Sequence, residues 1–343
     1  PETTDMKAIL VIAPAWVGDM VMAQSLFMTL KAQDSERAID VLAPGWTRAL
    51  TERMPEVRDA IDMPLGHGEL KLLTRRRLGM DLRACGYQQV IVLPNSLKSA
   101  LVPYWARIPL RTGYVGEMRQ WLLNDCRRLD KQRLTMTVQR FVALAFPDEA
   151  ALPESVPVPL LVTDNENGHA ALQRLDIDPT GKPVLALCPG AEFGAAKKWP
   201  EAYYAEVAQA WLAQGWQVWL FGSMNDAPVC DSINAQAHGR CENLAGRTRL
   251  EDAIDLLAMA SFVVSNDSGL MHIAAALQRP MVAIYGSSDP GFTPPLSETA
   301  RVERLGLDCS PCFKRDCPLG HLNCLNELHP ARIIAAMEEV MRR

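Results

Sequence analysis

The sequence predicts an α/β protein with two doubly wound parallel sheets, and three observations carry that prediction. Short continuous apolar runs recur along the chain, each closed by a loop and followed by a helical pattern. A proline-rich stretch breaks this rhythm near the middle, after which the rhythm resumes. The chain is 343 residues long, and at about 150 residues per domain that length divides into two cores rather than one.

The first run, residues 8–13 (AILVIA), leads through a loop at 14–19 into an apolar-rich helical stretch at 20–31. Residues 38–43 (AIDVLA) and 89–93 (QVIVL) read as further strands, each stopped by a proline. Four prolines in residues 147–163 remove amide donors and forbid a regular helix, which places the linker there. This gives domains at 1–160 and 161–328 and a terminal helix at 329–343 that packs back on the first domain. In the second half, 183–188 (PVLALC) is a strand, 201–214 a helix ended by Gly215, and 217–221 (QVWLF) the next strand. Thr248 and Glu251 have capping-box spacing before a helix at 252–260. Strands at 262–265 and 281–285 then flank a loop at 266–269 and a helix at 270–277.

Composition narrows the function. With 48% apolar residues and 22% charged, the chain can fold without staples. A net charge of −5 supplies no global basic field, so nucleic acid is excluded as a partner. Local basic runs at Arg75, Arg76 and Arg77, and at Arg127, Arg128, Lys131 and Arg133, fit either a solvated face or an anionic ligand. No apolar stretch approaches the roughly 20 residues that span a bilayer, and the expectation is a cytoplasmic protein without a transmembrane segment, at most peripheral to a membrane.

In a parallel sheet, ligands bind beyond the carboxyl ends of the strands, so the loops that follow strands are the ones to inspect. In the first, Gly18 permits close backbone approach and Asp19 sets a carboxylate at a helix start, as a cap or as a catalyst. The second runs from Cys188 to Pro200. Gly190, Ala191, Lys197 and Lys198 suit a diphosphate there, although the loop matches neither the Walker nor the dinucleotide glycine pattern and also fits plain solvation. A third, Gly222-Ser223, has little bulk to oppose a flat nucleoside. The fourth, Asp267-Ser268-Gly269, opens a helix on which His272 lies about one turn in, on the Asp267 side, as a core histidine or a ligand.

Taken in order, V-G-D-M after the first strand, P-G-A with K-x-W-P, F-G-S, N-D-S-G-L-M-H, A-A-A-L and P-M-V-A-I-Y-G resemble the ADP-heptose:lipopolysaccharide heptosyltransferase family over nearly the whole chain. Residues 63–68, 93–102, 113–119 and 122–125 look like the branch that adds the second heptose. The resemblance implies the GT-B fold, two facing Rossmann-like domains with a cleft between them, the acceptor in the first and the ADP-sugar in the second. It implies a metal-independent, inverting glycosyltransferase that moves heptose from ADP-heptose to heptosyl-Kdo2-lipid A at the inner membrane surface. The alternatives are transfer of the first heptose to Kdo2-lipid A, or a nucleotide-sugar epimerase of the same architecture.

By the same resemblance Asp19 is the general base. Lys197 binds the diphosphate, with Gly18, Gly190, Ala191, Gly222, Ser223, Asp267, Ser268, Gly269 and His272 around the donor. Lys98, Glu117, Arg119 and the Arg75 to Arg77 run are candidates on the acceptor side. Where some members carry a glutamate after F-G, this chain has Met224, followed by Asn225 and Asp226, which weakens the case for ribose recognition at that point.

The spacing Cys309-x2-Cys312-x4-Cys317-x6-Cys324 stands apart from these motifs. Four thiols so close together leave three readings, a structural zinc site, two disulfides or free thiols, set away from the donor motifs because the loop follows the last predicted strand. No cofactor is expected beyond that structural zinc.

Overall fold

A computed structural model describes residues 8–66, 68–178 and 181–342. The chain divides between Pro159 and Leu160 into two compact units, at a point inside the proline-rich stretch.

The first unit runs β1 (Ile9–Ile12), α1 (Val17–Gln33), β2 (Ile39–Pro44), α2 (Arg48–Thr51), β3 (Asp59–Met63) and α3 (Leu72–Asp81). It continues through β4 (Gln89–Val92), α4 (Leu101–Trp105), β5 (Leu110–Tyr114), β6 (Asp125–Arg127) and α5 (Thr137–Ala143). Its six strands lie in the order β3-β2-β1-β4-β5-β6, all parallel, with Ile9 beside both Ile39 and Gln89. After β3 the chain crosses back to the other side of β1, so the topological switch point lies between β1 and β4, where a doubly wound sheet opens a crevice at its carboxyl edge. Every residue of β1 is buried, as a strand covered on both faces must be.

The second unit runs α6 (Asn165–Leu175), β7 (Val184–Cys188), α7 (Glu201–Ala213), β8 (Gln217–Leu220), α8 (Ala227–Gln236), β9 (Glu242–Asn243) and α9 (Leu250–Ala258). It ends with β10 (Phe262–Asn266), α10 (Gly269–Ala276), β11 (Met281–Ile284), β12 (Ala300–Glu303), α11 (Asn323–Asn326) and α12 (Pro330–Met341). The strand order β12-β11-β10-β7-β8-β9 repeats the first unit's winding and sets the switch point between β7 and β10. Each unit is therefore a Rossmann-like sheet with helices, the build of the two halves of a GT-B protein.

Two expectations are corrected. The box that opens α9 uses Asp252, whose carboxylate accepts from the Arg249 amide at 2.9 Å, and not the Thr248–Glu251 pair. Asp252 is fully buried and also holds Arg174 at 2.6 Å, an internal partner that sets where the helix begins. Helix α12 was expected to pack on the first unit. Its apolar stripe Ile333, Ala336, Met337 and Val340 instead joins the second unit's core with Trp199, Tyr204 and Val282, because that face matches the surface left open by α7 and the last two strands.

Candidate active site

At the second switch point the loops after β7 and β10 meet. Asn266 closes β10 and ties them together: its amide donates to the Pro189 carbonyl at 2.6 Å, and its Oδ1 accepts from the Trp199 amide at 3.2 Å and the Tyr204 hydroxyl at 3.0 Å. Trp199 is itself sunk in the core, with its indole N–H on the Leu328 carbonyl at 2.8 Å. The K-x-W-P motif is thus a peg whose tryptophan fixes the height of the lysine before it. Lys197 extends to Asp267, with Nζ 2.5 Å from Oδ2, and the same carboxylate oxygen accepts from the Ser288 hydroxyl at 2.5 Å. The Lys197 ammonium also lies over the Phe193 ring, 4.9 Å from its centroid.

Asp267 is 4% exposed and Lys197 17%. Just beyond them α10 begins, with Ser268 and Gly269 half-exposed and the first-turn amides without intrahelical partners, an arrangement that favours anions. His272 is buried one turn further in. Burial pulls its pKa down to about 4, Lys197 adds to that and Asp267 opposes it, so the ring is neutral at physiological pH.

Next to this group Asp226 organises the third loop. Its carboxylate accepts from the Ser223 amide at 3.0 Å and the Ser223 hydroxyl at 2.8 Å, and Lys198 approaches it at 3.6 Å. Gly222 is required here, since a Cβ on it would lie 2.7 Å from the Asp226 Cβ, and a Cβ on Gly190 would collide with the carboxylate itself. The two adjacent lysines are therefore divided between two carboxylates, Lys197 on Asp267 and Lys198 on Asp226.

In the first unit Asp19 is the third residue of α1, in its first turn, while the cap position belongs to Trp16. The carboxylate thus lies within the helix start and not at its cap, half-exposed at the carboxyl edge of β1 with Gly18 beside it. The loops after β4 and β5 press together nearby. Gly116 permits it, because a Cβ there would lie 2.6 Å from the Asn95 carbonyl oxygen, and the Glu117 carboxylate accepts from the Leu97 amide at 2.7 Å. Lys98 sits half-buried in the first of these loops.

Arg119 is corrected from acceptor ligand to internal clamp. Its side chain is 0% exposed and donates to the carbonyls of Pro94, Ser96 and Tyr114, the Ser99 hydroxyl and the Asn95 side chain. Burial pulls its pKa down to about 10, with Cys126 and the Glu117 carboxylate opposing the shift. Arg75 is likewise internal, donating to the carbonyls of Glu69, Leu70 and Lys98, whereas Arg76 and Arg77 are exposed. Arg127, in the other basic run, is buried on Asp125 at 2.8 Å.

The cysteine segment is corrected twice. Among the described residues no group of three or more His, Cys, Asp or Glu side chains is disposed to hold a metal ion, so the zinc reading of Cys309, Cys312, Cys317 and Cys324 is unsupported. The four thiols are free, without disulfides, and line one pocket with His321 and Leu322. Amides of Leu322, Leu319, His321 and Gly320 bond to the Cys317 sulfur and hold its pKa below the usual thiol range, while burial raises that of Cys324. Nor does the segment stand apart from the donor loops. The Arg315 carbonyl accepts from the Ala196 amide at 2.9 Å, the Phe313 amide donates to Ser287 at 2.7 Å, and Ala196 and Ser287 complete the thiol pocket. The missed strand β12 intervenes before the segment and turns the chain back toward the carboxyl edge of β11.

Lys197, Asp267, Ser268, Gly269 and His272 therefore converge, and Gly190, Gly222 and Ser223 meet around Asp226. Sequence reasoning missed Ser288, Asn266 and the hub role of Asp226. The Ser-x-x-Asp spacing at 223–226 and the serine pair directly after β11 were the available signals.

Among the described residues no helix is long and apolar enough to cross a membrane. The model of glycosyltransferase family 9 (heptosyltransferase) matches residues 75–323. The chain is 48% identical to lipopolysaccharide heptosyltransferase 2 of Salmonella typhimurium, over 97% of its own length and 98% of that protein's. It is also 48% identical to lipooligosaccharide heptosyltransferase 2 of Haemophilus influenzae, over 98% and 99% of the two chains. The solved structure of E. coli ADP-heptose lps heptosyltransferase II superposes with a TM-score of 0.87 at 44% identity, covering 97% of this chain and 98% of that one. Two wound sheets, the loops after β7 and β10 gathered at a switch point and matches along nearly the full length lead to one conclusion: the chain belongs to glycosyltransferase family 9 and is a glycosyltransferase.

Proposed function

We propose that this enzyme transfers heptose from ADP-heptose to the heptosyl-Kdo2-lipid A inner core of lipopolysaccharide, with inversion at the anomeric carbon. The observation that carries the reading is the convergence of Lys197, Asp267 and Ser288 at the second switch point, in a chain 48% identical to a heptosyltransferase 2. Asp19 accepts the proton of the acceptor hydroxyl as that oxygen attacks the anomeric carbon. The bond from that carbon to the ADP oxygen breaks, and its electron pair leaves with the diphosphate. Lys197 and the first amides of α10 meet the charge that develops there, so the step needs no metal cofactor. Lys98 and the joined loops after β4 and β5 bind the acceptor, with Glu117 and Arg119 holding their shape. Because the acceptor is lipid-anchored, the enzyme works as a peripheral protein on the cytoplasmic face of the inner membrane.

Incubation with ADP-heptose and acceptors bearing zero or one heptose, followed by mass analysis, tests the proposal. The mass of one heptose gained by the monoheptosylated acceptor alone is the expected result. Gain by the heptose-free acceptor assigns first-heptose transfer instead, and a donor converted to an isomer of the same mass, resolved by chromatography, with both acceptors unchanged assigns an epimerase.

A further inference from the structure

Helix α3 has two unlike faces. Arg75, Leu78 and Gly79 point inward: Arg75 is pinned to three carbonyls, and Gly79 lets the helix lie so close to α4 that a Cβ would sit 2.7 Å from the Val102 carbonyl oxygen. At 3.6 residues per turn, Leu72, Arg76, Met80, Leu73 and Arg77 fall in that angular order within about 140° of the opposite side. All five are exposed, with Leu73 at 81% and Leu72 at 50%. Exposed Asp81 stands one turn after Arg77, just outside that arc, within which no acidic side chain falls, and among the described residues neither arginine has an ion-pair partner. Leu70, just before the helix, adds another exposed apolar side chain.

Around the arc the two arginines bracket Met80 and Leu73, with Leu72 beyond Arg76, a pattern that suits a surface apolar at depth and anionic at its rim. We infer that the outer face of α3 docks this enzyme on an anionic bilayer, Leu72, Leu73 and Met80 entering the acyl boundary while Arg76 and Arg77 meet lipid phosphates. This deepens the proposed function, since it rests on an acceptor held in a membrane, and it names the surface that brings the enzyme to that acceptor.

The test is co-sedimentation with phosphatidylcholine vesicles, with and without phosphatidylglycerol, and with no acceptor present. Wild-type protein should partition onto the anionic vesicles and release as salt rises. Leu72→Ser/Leu73→Ser should weaken partitioning at least about tenfold, and Arg76→Gln/Arg77→Gln on the order of tenfold for anionic vesicles only. Both pairs are exposed, and a thermal melt confirms folding. Transfer to a delipidated, water-soluble acceptor should stay within about twofold of wild type for the leucine variant, which separates docking from chemistry. Vesicle binding that persists where no transfer occurs upholds this surface and counts against the substrate reading. Wild type that ignores both vesicle types overturns the inference, as do variants that bind like wild type. Self-association abolished by Leu72→Ser/Leu73→Ser, without vesicle binding, gives the face to a second copy of the chain and also overturns it.

Discussion

Replacing Lys197 with alanine removes the cation held 2.5 Å from Asp267 and leaves a carboxylate that is 4% exposed with the Ser288 hydroxyl as its remaining close partner. Breaking a buried ion pair from one side costs about 3–5 kcal/mol, mostly because the surviving charge stays desolvated. Lys197 keeps 17% of its side chain in solvent, which places the expected loss near the low end, about 3 kcal/mol. Urea unfolding of the second unit should show it as a lowered midpoint with an unchanged slope. Lys197→Ala/Asp267→Asn, which removes the stranded charge, should recover most of the stability. ADP affinity, measured by calorimetry, should separate from stability: a charge-assisted contact to phosphate is worth about 1.5–3 kcal/mol, so roughly 10- to 100-fold weaker binding is expected in the single and the double variant alike. A single variant within about 1 kcal/mol of wild type, or a double variant no more stable than the single, would refute the argument that burial makes this pair a stability element.

Three further outcomes follow from the same geometry. Asp19→Asn should keep ADP affinity and lose about 10²- to 10⁴-fold in turnover, and single-turnover rates within threefold of wild type would remove it from the base role. His272, neutral in the fold with a pKa near 4 against about 6.5 unfolded, contributes stability that is complete above about 6.5 and lost as pH falls toward 4. That amounts to about 3 kcal/mol, and a His272→Asn variant should unfold with a flatter pH profile between those limits. Arg119→Met should lower the stability of the first unit by about 3 kcal/mol and raise the acceptor KM with ADP affinity unchanged, because it strands several carbonyls of the acceptor loops; a KM equal to wild type in a folded variant would deny it that positioning role.

The central strands were legible because burial on both faces writes itself as unbroken apolar runs, as in β1 and β7. The outer strands were not. β3 (DAIDM), β6 (DCR) and β12 (ARVE) are short and carry charges that the edge of a sheet can leave in water or pair, so no apolar run marks them. The loops after β7 and β10 stood out in the sequence because glycine, lysine and aspartate follow buried strands there, and the structure brings Lys197 and Asp267 together. Arg119 misled for the opposite reason. An arginine in a polar loop announces a charge, but only coordinates reveal that its five donors are all consumed by neighbouring carbonyls and hydroxyls. Asp226 stood out in the sequence only as a neighbour of Met224, while its importance comes from the two glycines that make room for it.

The segment from Cys309 to Cys324 backs onto the donor loop through the Ala196 amide, one peptide before Lys197, and through Ser287, one peptide before Ser288. The loop that carries Lys197 thus has a rear wall made of thiols. A group attached to Cys312 or Cys324 adds volume to a pocket that Ala196, the residue before Lys197, itself lines. Chemistry at those sulfurs therefore takes place against the backbone of a loop that Trp199 anchors in the core.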